Sequence, residues 1–260
     1  MDAIKPVVIS VGGWDPCGGA GLAADIKTLE QCDVTGMGVC SALTCQTHDC
    51  FESLQWTDIN LMLSQLNPLI TKYDVKALKL GIMPDMTSIV SIIHAVRCVF
   101  PKIPVVWDPV LKASAGFDFH QQVADVLLNE LMQLVTLVTP NLLEATRLFG
   151  DDASSPAVIQ QRMIAGGWGA ILLKGGHATD HADDVLITNN EIIRIEGQRF
   201  GASAAKHGSG CVLSSAIAAC LAQGLSLPDA CRKGKQYVEH FLLSCDGLMG
   251  YHVQIKDKKQ

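Results

Sequence analysis

Four short stretches of this sequence set reactive side chains beside glycines or helix-capping residues. Lys206-His207-Gly208-Ser209-Gly210-Cys211 opens an apolar segment that runs to Gln223. Two glycines leave the amides of a helix start approachable, which suits negative charge developing on a phosphoryl group or its leaving oxygen. Cys211 falls in the first turn, where the helix macrodipole favours thiolate, so it is a candidate base or nucleophile. The bland alternative is a plain helix cap with Cys211 in the core.

The second stretch is Gly12-Gly13-Trp14-Asp15-Pro16-Cys17-Gly18-Gly19-Ala20-Gly21. Its glycines permit close backbone approach to a ligand, and Asp15 or Asp25 could hold a hydroxyl or an ion. No Gly-Lys-Ser/Thr closes it, so it is not a P-loop. Gly19-Ala20-Gly21-Leu22-Ala23-Ala24 fits a loose dinucleotide fingerprint, but Thr44-Cys45-Gln46 stands where an acidic residue is wanted, which weakens a nicotinamide enzyme. Third, Asn141 and Glu144 have the spacing of a capping box, and a carboxylate and an amide one turn apart could equally organise magnesium through water. Fourth, Lys174-Gly175-Gly176-His177 puts a lysine where it could reach phosphates.

The elements that must position these residues follow from periodicity. Short apolar runs at Val7–Val11, Val39–Cys45, Val75–Leu80, Val105–Asp108, Leu134–Val138 and Ala170–Lys174 read as strands. Amphipathic runs at Leu22–Cys32, Ile59–Ile70, Ser88–Val99, Val123–Met132 and Val158–Ala165 read as helices between them. This βα alternation implies a mostly parallel sheet covered on both faces. Asp184–Ile187 and Ile192–Glu196 flank Asn189-Asn190, which predicts a hairpin and an antiparallel edge. Gly210–Gln223 and Pro228–Leu243 are the last helices, the first apolar on nearly every side and therefore buried. In such sheets ligands sit beyond the carboxyl ends of the strands, where all four stretches fall.

The chain has 260 residues, 48% of them hydrophobic, enough for one α/β domain with a large core. A net charge of −6, with basic residues gathered only near the C-terminus, argues against a nucleic-acid partner. The ten cysteines form no CxxC pair, and they read mostly as small buried hydrophobes. Cys40, Cys45 and Cys50 recur every five residues, yet in a strand Cys45 would face away from the other two. No apolar run is long enough to span a bilayer, and no secretory leader is evident, so a cytoplasmic location is expected. Residues 256–260 are expected to form a flexible tail.

Taken together, these pieces closely resemble the hydroxymethylpyrimidine and phosphomethylpyrimidine kinases of thiamine biosynthesis, within the ribokinase-like superfamily. The resemblance rests on Asp15-Pro16 with Gly18-Gly19-Ala20-Gly21, Ala24-Asp25 with Lys27-Thr28, Ala42-Leu43-Thr44 with Gln46-Thr47, Asp108-Pro109-Val110, Thr139-Pro140-Asn141 with Glu144-Ala145, Lys174 to His177, and His207-Gly208 with Gly210-Cys211. It covers nearly the whole chain and implies a ribokinase-like three-layer sandwich. It also implies ATP-dependent phosphorylation of 4-amino-5-hydroxymethyl-2-methylpyrimidine, and usually of its monophosphate. Residue by residue, it assigns the aminopyrimidine to Gln46, with Gly13, Ala20, Asp25 and Val110 shaping the pocket. It gives magnesium to Glu144 and Asp108 with Asn141, ATP to Lys174, Asn141 and Ser209, and an anion hole to the Gly208–Cys211 amides, with Gly208, Ser209 and Gly210 counted catalytic beside Cys211. Cys211 stands where most of the superfamily carries an aspartate base. A homodimer is implied as well.

The sequence departs from the family pattern at Trp14, Ser114, Lys206, Ser209 and Val212 and in the order Gly81-Ile82-Met83. Trp14 and Gly81-Ile82-Met83 border the expected substrate pocket, so they bear on the substrate more than on the reaction. A vitamin B6 alcohol such as pyridoxal is the alternative substrate. A non-catalytic binding protein is the alternative class; it would be free to shed Lys174, Glu144 and the Gly208–Cys211 turn, all present here.

Overall fold

Alternation of side chains along buried strands organises the molecule. In the computed structural model, which describes residues 5–111, 125–151, 155–175, 182–198, 200 and 206–254, neighbouring strand residues feed two separate cores. Ile9, Leu78, Val105, Val138 and Ile171 enter one core, and Val8, Ala77, Val106, Leu137 and Leu172 the other. Because successive side chains point to opposite faces of a strand, a strand buried on both faces is apolar at nearly every position, as these are apart from Ser10, Lys76 and Lys79.

The strands are β1 (Val7–Trp14), β2 (Thr35–Gln46), β3 (Phe51–Trp56), β4 (Val75–Leu80), β5 (Val105–Trp107), β6 (Leu137–Val138), β7 (Ala170–Leu173), β8 (Asp184–Ile187) and β9 (Ile192–Ile195). The helices are α1 (Gly21–Gln31), α2 (Ile59–Lys72), α3 (Met86–Val99), α4 (Asp125–Leu134), α5 (Leu142–Phe149), α6 (Pro156–Gly166), α7 (Ser209–Ala222) and α8 (Leu227–Leu242). One sheet holds all nine strands in the order β3-β2-β1-β4-β5-β6-β7-β8-β9. Pairing is parallel from β2 through β7 and antiparallel at β2/β3, β7/β8 and β8/β9. Helices α2 to α6 cover one face; α1, α7 and α8 cover the other. This is the expected three-layer sandwich with a mostly parallel sheet.

The expected hairpin is present, with Thr188 N–H donating to the Glu191 carbonyl at its turn. A second antiparallel hairpin, β2/β3, sits at the opposite edge and has no counterpart among the expected strands. Phe51-Glu52-Ser53-Leu54-Gln55-Trp56 lacks apolar alternation, and no residue of it is buried, so tertiary pairing rather than patterning makes it a strand. Cys50 lies in the turn before β3, not in β2 with Cys40 and Cys45. Strand β6 is also shorter than expected because α4 continues to Leu134. Of the ten cysteines only Cys220 and Cys231 are buried, which corrects the reading of most of them as core residues. Helix α7 is as apolar as expected and buries Val212 through Cys220 between the sheet and α8. Ser114, Gly176, His177, the first residues of the helix expected from Val123 and the 256–260 tail lie outside the described residues.

Candidate active site

The carboxyl ends of β1, β2, β4, β5, β6 and β7 open on a cavity of ≈ 270 Å³. Gly13, Ala20, Gln46, Asp108, Val110, Asn141, Glu144, Lys174, Gly208, Ser209, Gly210 and Cys211 all line it. Trp14 does not; 45% exposed, it faces out from the end of β1, while Gly81 and Ile82 do border the cavity.

The start of α7 forms one wall. Gly208 is the N-cap residue at φ +77°, with no side-chain cap on the amides that follow. A Cβ there would stand 2.0 Å from the Gly19 carbonyl oxygen, so both the left-handed backbone and the close approach require glycine. The bare side of Gly210 lies 3.4 Å from both Asp108 Oδ2 and Lys174 Nζ, measured from where its Cβ would be. Helix amides, an ammonium and a carboxylate therefore converge on one point.

Opposite, at the ends of β5, β6 and β7, Lys174 Nζ donates to Asp108 Oδ1 at 2.9 Å and stands 3.7 Å from Glu144 Oε2. Burial works to lower the Lys174 pKa, but Asp108 and Glu144 outweigh it and hold the ammonium charged. Burial raises the Glu144 pKa, against the pull of Lys174. The expected capping box forms: Asn141 Oδ1 accepts from Glu144 N–H at 2.9 Å, and Glu144 Oε2 accepts from Asn141 N–H at 2.8 Å. Asp108 Oδ2 is buried without a hydrogen-bond partner. An orphaned carboxylate oxygen beside a second carboxylate is an all-oxygen donor set that fits a hard cation such as magnesium, held partly through water.

Asp25 takes a different place from the one expected. It is fully buried beneath the cavity and is absent from its wall. Both its oxygens accept from Lys79 Nζ at 2.8 and 2.9 Å, and they also accept from Ser10 Oγ at 2.7 Å and Ser215 Oγ at 2.8 Å. Periodicity missed Lys79; the signal was a lysine inside the apolar strand Val75-Lys76-Ala77-Leu78-Lys79-Leu80, two residues before Gly81. The charge reaches Cys211 as well. Burial pushes the Cys211 thiol up to about 12, with Asp25 and Asp108 adding to the rise and Lys79 opposing it. With desolvation the largest cause, Cys211 is a thiol in the ligand-free protein despite its place at the helix start.

Asp15 joins the glycine stretch to α7. Its Oδ2 accepts from Gly19 N–H at 3.0 Å and Ala20 N–H at 2.8 Å, its Oδ1 accepts from Cys17 N–H at 3.0 Å, and His207 Nε2 lies 3.0 Å from Oδ2. Against the cost of burial, these bonds, His207's first, hold the carboxyl down at about 2. On the far wall, Lys235 Nζ pairs with Asp184 Oδ1 at 3.1 Å. Nothing in the local sequence linked those two residues, which are 51 positions apart.

Comparison with known proteins matches the phosphomethylpyrimidine kinase family over residues 15–254. The hydroxymethylpyrimidine/phosphomethylpyrimidine kinase of Rhizobium meliloti (strain 1021) is 32% identical over 248 residues, covering 93% of this chain and 92% of the relative. Among solved structures, the phosphomethylpyrimidine kinase of Clostridium difficile 630 superposes with a TM-score of 0.75 at 26% identity, covering 91% of this chain and 99% of the other. The pyridoxal kinase of Bacillus subtilis, solved as an ADP complex, gives a TM-score of 0.76 at 25% identity with 91% of each chain covered.

Proposed function

The chain belongs to the phosphomethylpyrimidine kinase family, and from that premise we propose that this kinase phosphorylates the hydroxymethyl group of 4-amino-5-hydroxymethyl-2-methylpyrimidine with ATP, and then the resulting monophosphate. The observation that carries this is the meeting of the α7 amides, Lys174 and Asp108 around Gly210, at the end of a cavity whose other end holds Gln46.

In this reading Gln46 meets the aminopyrimidine edge, since one amide offers both a donor and an acceptor. Gly13, Ala20 and Val110 confine the ring, and Asp25 acts from below through Lys79. Lys174 and Ser209 contact the phosphates of ATP. Asp108, Asn141 and Glu144 would hold a magnesium ion, which supplies charge neutralisation between the phosphates when bound. The substrate hydroxyl attacks the γ-phosphorus as the bond to ADP breaks, and the Gly208–Cys211 amides receive charge on the transferring group. Through a loose transition state the hydroxyl proton departs late, so a neutral Cys211 can hold the hydroxyl in line, and it takes that proton only as a thiolate, after its own proton has left to solvent with Lys79 nearby to offset the charge.

Pyridoxal is the second substrate considered, on the strength of the superposition with the Bacillus subtilis pyridoxal kinase. Coupled ADP release measured with hydroxymethylpyrimidine, its monophosphate and pyridoxal tests the proposal. A larger kcat/KM for the pyrimidine supports it, and a large preference for pyridoxal overturns the substrate.

A homodimer is supported by Trp14 and Leu43, paired across β1/β2 and 45% and 54% exposed, an apolar patch suited to a second copy. Ten cysteines without a disulfide among them support a reducing cytoplasmic compartment. No helix among the described residues is long and apolar enough to cross a membrane. The net charge of −6 supports a small-molecule rather than a nucleic-acid partner.

A further inference from the structure

We propose that Asp15, Cys17 and His207 form a binding site for a borderline-soft divalent cation of the Zn²⁺ class, and that loading it restrains the kinase. The site is separate from the all-oxygen set at Asp108 and Glu144. Its three ligand atoms, a carboxylate oxygen, a thiol sulfur and an imidazole nitrogen, all lie within 4.8 Å of one another. Asp15 Oδ2 stands 3.0 Å from His207 Nε2 and 3.2 Å from Cys17 Sγ.

Tetrahedral zinc with bonds of about 2.0 Å to oxygen and nitrogen and about 2.3 Å to sulfur needs ligand separations of roughly 3.3 and 3.6 Å. The two separations from Asp15 Oδ2 reach those values by opening a few tenths of an ångström, and His207 and Cys17 stand within 4.8 Å of each other. Asp15 and His207 are more than nine-tenths buried, whereas Cys17 is part-exposed and gives the cation a way in. His207 Nδ1 is buried without a partner.

The exchange balances in charge and protons. Without metal, Oδ2 accepts from the Cys17 thiol and lies against His207 Nε2. On binding, the Cys17 proton leaves to solvent and the imidazole proton resides on Nδ1. The cation with one carboxylate, one thiolate and one neutral imidazole is then neutral. No electron is transferred, and the fourth position is left for water, as in open zinc sites.

The consequence for turnover follows from what Asp15 already holds. The same Oδ2 positions the Gly19 and Ala20 amides, and Gly208 packs directly on the Gly19 carbonyl. Drawing Oδ2 and His207 onto a metal shifts the glycine stretch against the start of α7, where the transferring phosphoryl group would sit.

The test uses the full chain and Co²⁺ as a spectroscopic probe. One equivalent of Co²⁺ is expected to produce a thiolate charge-transfer band and tetrahedral visible bands that Zn²⁺ displaces. Cys17→Ser, which keeps a donor to Asp15, should abolish the charge-transfer band, while Cys211→Ala should keep it. In turnover assays, Zn²⁺ should inhibit the wild type reversibly to a chelator and inhibit Cys17→Ser at least tenfold less well. Absence of the band, or a band of equal strength in Cys17→Ser arising at an exposed thiol such as Cys45, Cys50 or Cys98, overturns the site. Equal inhibition of both proteins overturns the restraint on turnover.

Discussion

Replacing Lys79 with methionine isolates the most buried charge pair among the described residues. Lys79 and Asp25 have no solvent exposure, and the ammonium meets both carboxylate oxygens at 2.8 and 2.9 Å. Methionine matches the stem in volume, so little cavity term enters, and the cost is that of a buried carboxylate without its counter-ion. Breaking such a pair from one side costs about 3–5 kcal/mol. Ser10 and Ser215 still donate to Asp25 in the variant, so the lower end, about 3 kcal/mol, is expected. At roughly 2–4 °C per kcal/mol for a chain of this size, the melting temperature should fall by about 6–12 °C.

Burial opposes the charge on Lys79, but Asp25, Cys211 and Asp108 raise its pKa above the usual value. Its contribution is therefore fully present below the unfolded value of about 10.4 and is lost only as pH rises through the higher folded value. Urea unfolding of Lys79→Met, Asp25→Asn and the double variant at pH 7.5 completes the cycle. The double variant should cost less than the sum of the singles, with a coupling of about 2 kcal/mol or more. Single-variant losses below about 1 kcal/mol, or simple additivity, would refute a tightly coupled pair under the active site.

Cys211→Ala should lower kcat by on the order of 10², the range for a general base, and near wild-type turnover would remove that role. With its thiol at about 12, Cys211 should also be alkylated by iodoacetamide at pH 8 far more slowly than exposed Cys45, Cys50 or Cys98, as followed by peptide mass spectrometry. Gly208→Ala forces a side chain onto the Gly19 carbonyl at φ +77° and should abolish turnover while leaving a folded protein by circular dichroism; measurable kcat would contradict the tight junction. His252, whose ring lies 4.9 Å from Phe241, has its pKa lowered to about 4 by burial and then by Lys27. Between the unfolded value of about 6.5 and that folded value the unfolded chain binds the extra proton, so stability falls as pH falls. After allowance for its partial exposure, His252→Leu should remove on the order of 1 kcal/mol of that acid-side loss, read as the change in urea midpoint from pH 7.5 to 4.5; parallel pH profiles would refute it.

Much of the architecture was legible along the chain because buried parallel strands and amphipathic helices each impose a local period. The helices expected at 22–32, 59–70, 88–99, 158–165, 210–223 and 228–243 stand within two residues of their observed limits at every end. The edge strand β3 was not legible, since its residues acquire strand geometry from pairing with β2 rather than from burial. The cysteines misled for a related reason: residue type suggests burial, but position decides it.

Within the site, glycines and capping residues could be read because their demands are local. Gly208 needs a positive φ, and Asn141 with Glu144 closes a capping box over three residues. Those demands, with the β-α order and the motif spacing, pointed to phosphoryl transfer at one edge of one sheet. Asp25 moving from the pocket wall to a salt bridge beneath it, Asp15 joining two loops 192 residues apart, and Cys211 remaining a neutral thiol were all decided by tertiary structure. Partners and desolvation depend on which segments meet across the sheet. A sequence specifies the donors and charges, but only the fold sets the distances and the dielectric that determine what they do.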